Sequence, residues 1–142
     1  MQDKAIVKIT SELDIVECRK TVRDMAIKLG FGIADQTRLV TTASELSRNI
    51  VQYAGNGEMA LTVVSGPKGR GMKLVFKDKG PGFEPDEALV YGYSTGKGLG
   101  VGLPGSKRLM DEFEIWSKKD KGTIITAFKW LKQVSSLKKG NG

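Results

Sequence analysis

The stretch Gly92–Arg108, GYSTGKGLGVGLPGSKR, puts six glycines and a proline into seventeen residues just ahead of an amphipathic run. Glycine at that density disfavours any regular element and favours backbone that bends tightly or lets something approach closely. Three phosphate-binding readings compete for it. The Walker pattern needs four residues between its first Gly and Gly-Lys, then Ser or Thr. Gly92 and Gly96 have three between them and Gly98 follows Lys97, so that pattern fails. Gly100, Gly102 and Gly105 match G-x-G-x-x-G literally, yet that pattern belongs directly after a buried strand, and YGYSTGKG is no such strand. What remains is general. Gly98, Gly100 and Gly102 precede or open a helix, where unshielded N–H groups favour an anion and Lys97 adds charge. A surface loop with no ligand accounts for this stretch alone equally well.

Around this stretch the chain punctuates itself clearly. KAIVKIT reads as a strand, and SELDIVECRKTVRDMAIKLG as a helix with Ser11 or Asp14 as cap and Gly30 as stop. Ile15, Cys18, Val22, Met25 and Leu29 form its buried stripe. A second helix is expected from about Ala34 to Tyr53, with Leu39, Ala43, Leu46, Ile50 and Tyr53 on one face, until AGNGE breaks it. MALTVVS and MKLVFKD form a hairpin-like pair across GPKGRG. After an irregular stretch from Lys79 to Gly100, a third helix is expected over about Val101 to Phe113, then the strands EIWSK and TIITAFKWL across a KDKG turn. The order β-α-α-β-β-loop-α-β-β predicts an α/β two-layer sandwich: a mixed, mostly antiparallel sheet with helices on one face. Residues 1–131 read as a single domain, and the acid-free residues 132–142 as a loose basic tail.

Composition narrows the function more by what it omits. The 142 residues contain no histidine, which excludes a Ser-His-Asp triad, a zinc–histidine site and a self-phosphorylating histidine. Any chemistry must use carboxylates, amides, hydroxyls, backbone or a bound ion. The one cysteine, Cys18, falls on the apolar stripe and reads as a buried thiol. No signal peptide or membrane-spanning run is visible, so a soluble cytoplasmic protein is expected. The formal charge is +7. Lys132, Lys138 and Lys139 of the tail carry three of those charges, and no Arg-rich helix or aromatic RNA-binding signature accompanies the rest. Such a body also suits a protein that handles polyphosphate or docks on an acidic partner, and charge alone decides nothing; neither nucleic acid nor a membrane is the expected partner.

Two further fragments bear on the glycine stretch. DKGPG, Asp78 to Gly82, places a carboxylate at a strand end beside glycines. It could accept a hydrogen bond from the amino group of a base, although Asp, Gly and Pro are also ordinary turn residues. SELSRN, inside the second helix, sets Glu45 and Asn49 four residues apart on one face at the border of the apolar stripe. Asn offers a neutral hard oxygen for Mg²⁺, and Glu a base for a hydroxyl proton; a solvated polar pair is the plainer alternative.

The three fragments in this order, E-x-x-x-N, D-x-G-x-G and G-x-G-x-G-L, with Gly122-Thr123 opening the last strand, resemble the ATP site of the GHKL superfamily and its Bergerat fold. Within it, SELSRNIVQYAG, DKGPGF, GYSTGKGLGVGLPGSKRLMDEF and the closing GT…KW look like the RsbT family of stressosome switch kinases. The resemblance runs from the first strand to about Leu131. It implies a serine/threonine protein kinase that uses ATP and Mg²⁺. It implies action on STAS-domain scaffold and antagonist proteins of the RsbS and RsbR type, then release to bind and activate a PP2C-type phosphatase of the RsbU kind. Carried over by motif position, Glu45 is the catalytic base and Asn49 the Mg²⁺ ligand. Asp78 binds the adenine amino group, Gly80 and Gly82 shape the pocket, and Thr123 supports Asp78. Gly98, Gly100 and Gly102 present N–H groups to the phosphates under a lid where Ser94, Thr95 and Lys97 add contacts. Arg48 is expected to pair with a surface acid rather than touch phosphate. Anti-sigma kinases of the SpoIIAB and RsbW type share the core and are one alternative; a binding module that holds ATP without turnover is the other.

Overall fold

The computed structural model describes residues 3–82 and 103–132. The chain runs through β1 (Lys4–Ile9), α1 (Glu12–Leu29), α2 (Ile33–Asn49), a π-helical turn (Ile50–Ala54), β2 (Gly57–Gly66), β3 (Gly69–Asp78), α3 (Leu103–Leu109), β4 (Glu112–Lys118) and β5 (Gly122–Trp130). Five strands form one sheet in the order β1-β2-β3-β5-β4, and every neighbouring pair is antiparallel.

Strand parity decides which side of the sheet is covered. Val7 and Ile9 of β1, Met59 and Leu61 of β2, Met72, Leu74 and Phe76 of β3, and Ile125 and Ala127 of β5 are buried on one face. They meet Cys18, Val22, Met25 and Leu29 of α1 and Leu39, Ala43, Leu46 and Ile50 of α2 in one core. Cys18 lies fully inside it, where burial, with the charges of Asp14 and Glu17, pushes the thiol up to about 12.

Local chemistry sets the ends of α1. Ser11 is its N-cap, and the Asp14 carboxylate accepts the backbone N–H groups of Thr10 at 2.8 Å and Ser11 at 3.1 Å. Gly30 closes the helix, its N–H returning to the carbonyls of Ala26 and Ile27. Away from the end of the sheet that carries Asp78, the Lys129 ammonium is buried. It donates to the Leu109 carbonyl at 3.0 Å and lies 3.5 Å from the Asp35 carboxylate and 3.4 Å from that of Asp111. Asp35 is also held by Arg38 at 2.7 Å. This cluster ties the first turn of α2 and the last carbonyl of α3 to β5.

Three expectations from sequence are revised. The third helix does not reach Phe113: it ends at Leu109, and Phe113 lies in β4. The reason is strand pairing, since the Asp111 N–H bonds the Phe128 carbonyl and its carboxylate accepts the Trp130 N–H at 2.8 Å. The β2–β3 hairpin is longer, because both strands extend into the glycines of GPKGRG and leave Pro67 and Lys68 between them. The second helix does not run uniformly to Tyr53, since its α-geometry gives way to the π turn at Ile50. The remainder of the irregular stretch, residues 83–100, the expected start of the third helix at residues 101–102, and the tail beyond residue 132 lie outside the described residues.

Candidate functional site

β3 carries its buried parity outward. Met72, Leu74 and Phe76 face the core, so Asp78, two further on, points to the same helix-covered side at the strand's end. Its carboxyl is half-buried, and burial holds its pKa above the ordinary carboxylate value. Backbone N–H groups of Gly80 and Thr123 pull it the other way. The Gly80 N–H reaches Oδ1 at 2.8 Å. Asp78 is therefore a desolvated acceptor with some of its lone-pair capacity already engaged.

The end of α2 closes on this carboxylate. A Cβ on Gly57 would lie 2.9 Å from Ile50 Cγ2 and 3.1 Å from Asp78 Cβ. The residue next to Asn49 in the chain and the Asp78 side chain thus crowd the same point, which only a glycine leaves open. Likewise a Cβ on Gly80 would lie 2.6 Å from Ala54 Cβ and 3.1 Å from Asp78 Oδ1. The π turn ends at Gly55, in left-handed backbone with φ of 80° and its N–H bonding the Ile50 carbonyl at 2.7 Å. Such a widened last turn is a recurrent feature of functional sites in helices.

β5 supplies the opposite wall. Thr123 sits across from Asp78 in the β3–β5 register and across from Ser117 in the β4–β5 register. Thr123 is buried, and its hydroxyl lies 2.9 Å from the Ser117 hydroxyl, which also donates to the Gly122 carbonyl at 3.1 Å. Gly82 adopts a φ of 70° against the Lys118 carbonyl, leaving no room for a side chain. The Pro81 carbonyl accepts the Asp120 N–H at 2.6 Å, fastening the DKGPG segment to the β4–β5 turn.

Glu45 and Asn49 are both half-buried on α2. The Glu45 carboxylate lies 3.6 Å from the Arg48 guanidinium, so Arg48 does pair with an acid, and that acid is the expected base. A cavity of about 450 Å³ adjoins Asp78, lined by Ala54, Asn56, Gly57, Lys79 and, around the sheet's end, Lys8, Glu58 and Lys77. That volume lies within the ordinary range of ligand pockets. Neither Glu45 nor Asn49 lines it. Ser94, Thr95, Lys97, Gly98, Gly100 and Gly102 lie outside the described residues.

Ser117, Ala54 and Gly57 belong to none of the short motifs. Ser117 follows from counting the hairpin register back from Thr123 across the KDKG turn. In the sequence Ala54 and Gly57 mark only the break after the second helix.

Residues 34–133 match the family of histidine kinase-, DNA gyrase B- and HSP90-like ATPases. Serine/threonine-protein kinase RsbT of Bacillus subtilis is 47% identical over 134 residues, which cover 93% of this chain and all of that protein. The chain belongs to this ATPase family, in its RsbT serine/threonine kinase branch. Similarity to a sensor histidine kinase and to two solved structures is weaker. A putative NtrY-like sensor histidine kinase of Rickettsia typhi is 26% identical, over 78% of this chain and 21% of that one. A crystal structure of RsbU and RsbW domains from Mycobacterium tuberculosis superposes with a TM-score of 0.62 at 17% identity, covering 91% of this chain and 33% of that one. The histidine kinase domain of the Erythrobacter litoralis blue-light activated kinase EL346 superposes at 0.51 with 16% identity, covering 88% and 63%. These two share the GHKL fold. No helix among the described residues is long and apolar enough to cross a membrane.

Proposed function

We propose that this RsbT-type kinase transfers the γ-phosphoryl group of Mg-ATP to a serine or threonine of a STAS-domain protein of the RsbS or RsbR type. Once released, it binds and activates a PP2C-type phosphatase of the RsbU type in cytoplasmic stress signalling. What carries the reading is the identity to RsbT over nearly the whole chain. Residues 1–131 act as one kinase domain, with 132–142 as a basic tail.

The residues present fit the nucleotide and its metal. Asp78 is a desolvated acceptor beside two glycines that a Cβ could not replace, which suits the edge of a purine. Asn49 offers one hard oxygen, and Mg²⁺ is ordinarily held by one or two protein groups together with phosphate oxygens and water. Bound Mg-ATP supplies the electrophilic phosphorus and a metal that neutralises charge on the phosphates.

In the mechanism we propose, Asp78 accepts the adenine amino group, while the Thr123 backbone N–H keeps the carboxylate in place. Gly80 and Gly82 let the ring approach the backbone. Gly98, Gly100 and Gly102 direct N–H groups at the phosphates, with Ser94, Thr95 and Lys97 adding contacts. Glu45 takes the hydroxyl proton of the partner's side chain as its oxygen bonds to the γ-phosphorus and ADP departs. Arg48 orients that carboxylate.

Incubation with Mg-ATP and candidate STAS proteins, read by mass spectrometry, tests the reading. Phosphoserine or phosphothreonine on the partner is expected. A stoichiometric complex without phosphate would instead indicate a binding module, and retention on a sigma factor an anti-sigma kinase.

A further inference from the structure

Lys129 is a buried cation that the proposed chemistry does not use. It continues the parity of Ile125 and Ala127 on the helix-covered face of β5, and its side chain is 9% exposed. Around it stand the carboxylates of Asp35 at 3.5 Å and Asp111 at 3.4 Å, and the Arg38 guanidinium lies 2.7 Å from Asp35. The two cations and two anions cancel. Burying such a group is costly, and apolar side chains of similar volume often stabilise a core as well. What the ammonium adds is direction. It donates to the Leu109 carbonyl at 3.0 Å, at the end of α3, where a helix favours a cation.

α3 needs such an anchor. Its seven residues make about two turns, too few to hold a helix by themselves. Ser106 is buried within it, but the hydroxyl has no hydrogen-bond partner. The Asp111 N–H bonds the Phe128 carbonyl, which fixes the chain two residues past the helix. One fixed point lets a helix pivot; a second sets its direction. Among the described residues, Lys129 makes the only side-chain hydrogen bond that another element sends to α3.

We infer that Lys129 is a positioning residue for the phosphates of the nucleotide, aiming through α3 the glycine stretch that leads into it; the inference rests on the nucleotide reading above. Gly102 is followed directly by Leu103, the first residue of α3, so the helix sets where that stretch ends. The helix is about 10 Å long, and a tilt of about 10° at Leu109 would carry its first residue by roughly 2 Å. Binding groups have to be held within about 0.5 Å of their productive geometry. The adenine end is insulated from such a tilt. Thr123 opens β5 and Lys129 is next to its end, a separation of about 20 Å along the strand. Asp35 keeps Arg38 as its partner, so the first turn of α2 stays compensated.

The test is calorimetric titration of Mg-ATP and of AMP, which shares the purine but lacks the β- and γ-phosphates. The proteins are the full chain and its Lys129→Met and Arg38→Met variants, with circular dichroism to check folding. Lys129→Met keeps the apolar stem and removes the bond to Leu109. Arg38→Met disturbs the same cluster and leaves that bond. The expected result is a loss of ATP affinity of about tenfold or more in Lys129→Met, with AMP affinity within about twofold of wild type. In Arg38→Met both affinities should stay within about twofold. Unchanged ATP affinity in Lys129→Met, or equal losses for ATP and AMP, overturns the positioning role and leaves the nucleotide reading standing. So does the same selective loss in Arg38→Met. Should Lys129→Met not fold, Lys129→Gln, whose amide falls short of the carbonyl, is read in its place. Failure of both to fold makes the lysine a stability element alone and overturns the inference. Absence of ATP binding by wild type overturns both readings.

Discussion

Asp78 is held in tension by its surroundings: burial raises its pKa, and two backbone N–H groups only partly offset that. An acid whose folded-state pKa is raised stabilises the fold below its unfolded pKa of about 4, and that contribution is lost as pH rises through the folded value. At neutral pH without nucleotide, the ionised side chain is therefore a local cost. Asp78→Asn keeps an acceptor for Gly80 and removes the charge. It should raise nucleotide-free stability at pH 7, with the gain over wild type shrinking toward pH 4, as chemical denaturation at the two pH values will show. Equal stability of the two proteins at pH 7 would contradict the desolvation account. Glu45 differs, being more open and paired with Arg48. In the proposed base role, Glu45→Ala should slow phosphoryl transfer by about 10²–10⁴-fold while ATP affinity stays near wild type. Wild-type transfer by that variant would remove Glu45 from the mechanism.

The elements around the site are fitted by small residues rather than long side chains. The π turn presses Ala54 onto Gly80 and Ile50 onto Gly57. Gly80→Ala must displace the turn or the DKGPG segment, since its Cβ would lie 2.6 Å from Ala54 Cβ. Overpacking of this kind costs about 1–3 kcal/mol, so urea unfolding should register that loss, together with weaker ATP binding. A Gly80→Ala variant as stable as wild type would show the contact to be slack. Much of this level was legible in the chain. The stripes of α1 and α2 follow from apolar spacing, and the places of Asp78 at the end of β3 and Thr123 at the start of β5 from the β-rich runs around them. The π turn was not, because Ile50 and Tyr53 keep a helical rhythm while the hydrogen bonding changes beneath it. Nor was the end of α3: MDEF continues an amphipathic pattern, but Asp111 is captured by β5 backbone, a contact no local pattern announces.

At the scale of the molecule, distant segments become neighbours through strand order. β3 lies in the middle of the sheet between β2 and β5, so Asp78 meets Gly57 on one side and Thr123 on the other. The end of α2 reaches the same place because the π turn leads directly into β2. No sequence spacing encodes that meeting; antiparallel register does. The central claim is that this junction grips the purine of a magnesium-bound triphosphate. Calorimetric titration of Mg-ATP into wild-type and Asp78→Asn proteins tests it most directly. The account predicts saturable one-to-one binding by wild type, and loss of affinity of about 100-fold in the variant, where the adenine amino group loses its anionic acceptor. Equal affinity for the two proteins would contradict it.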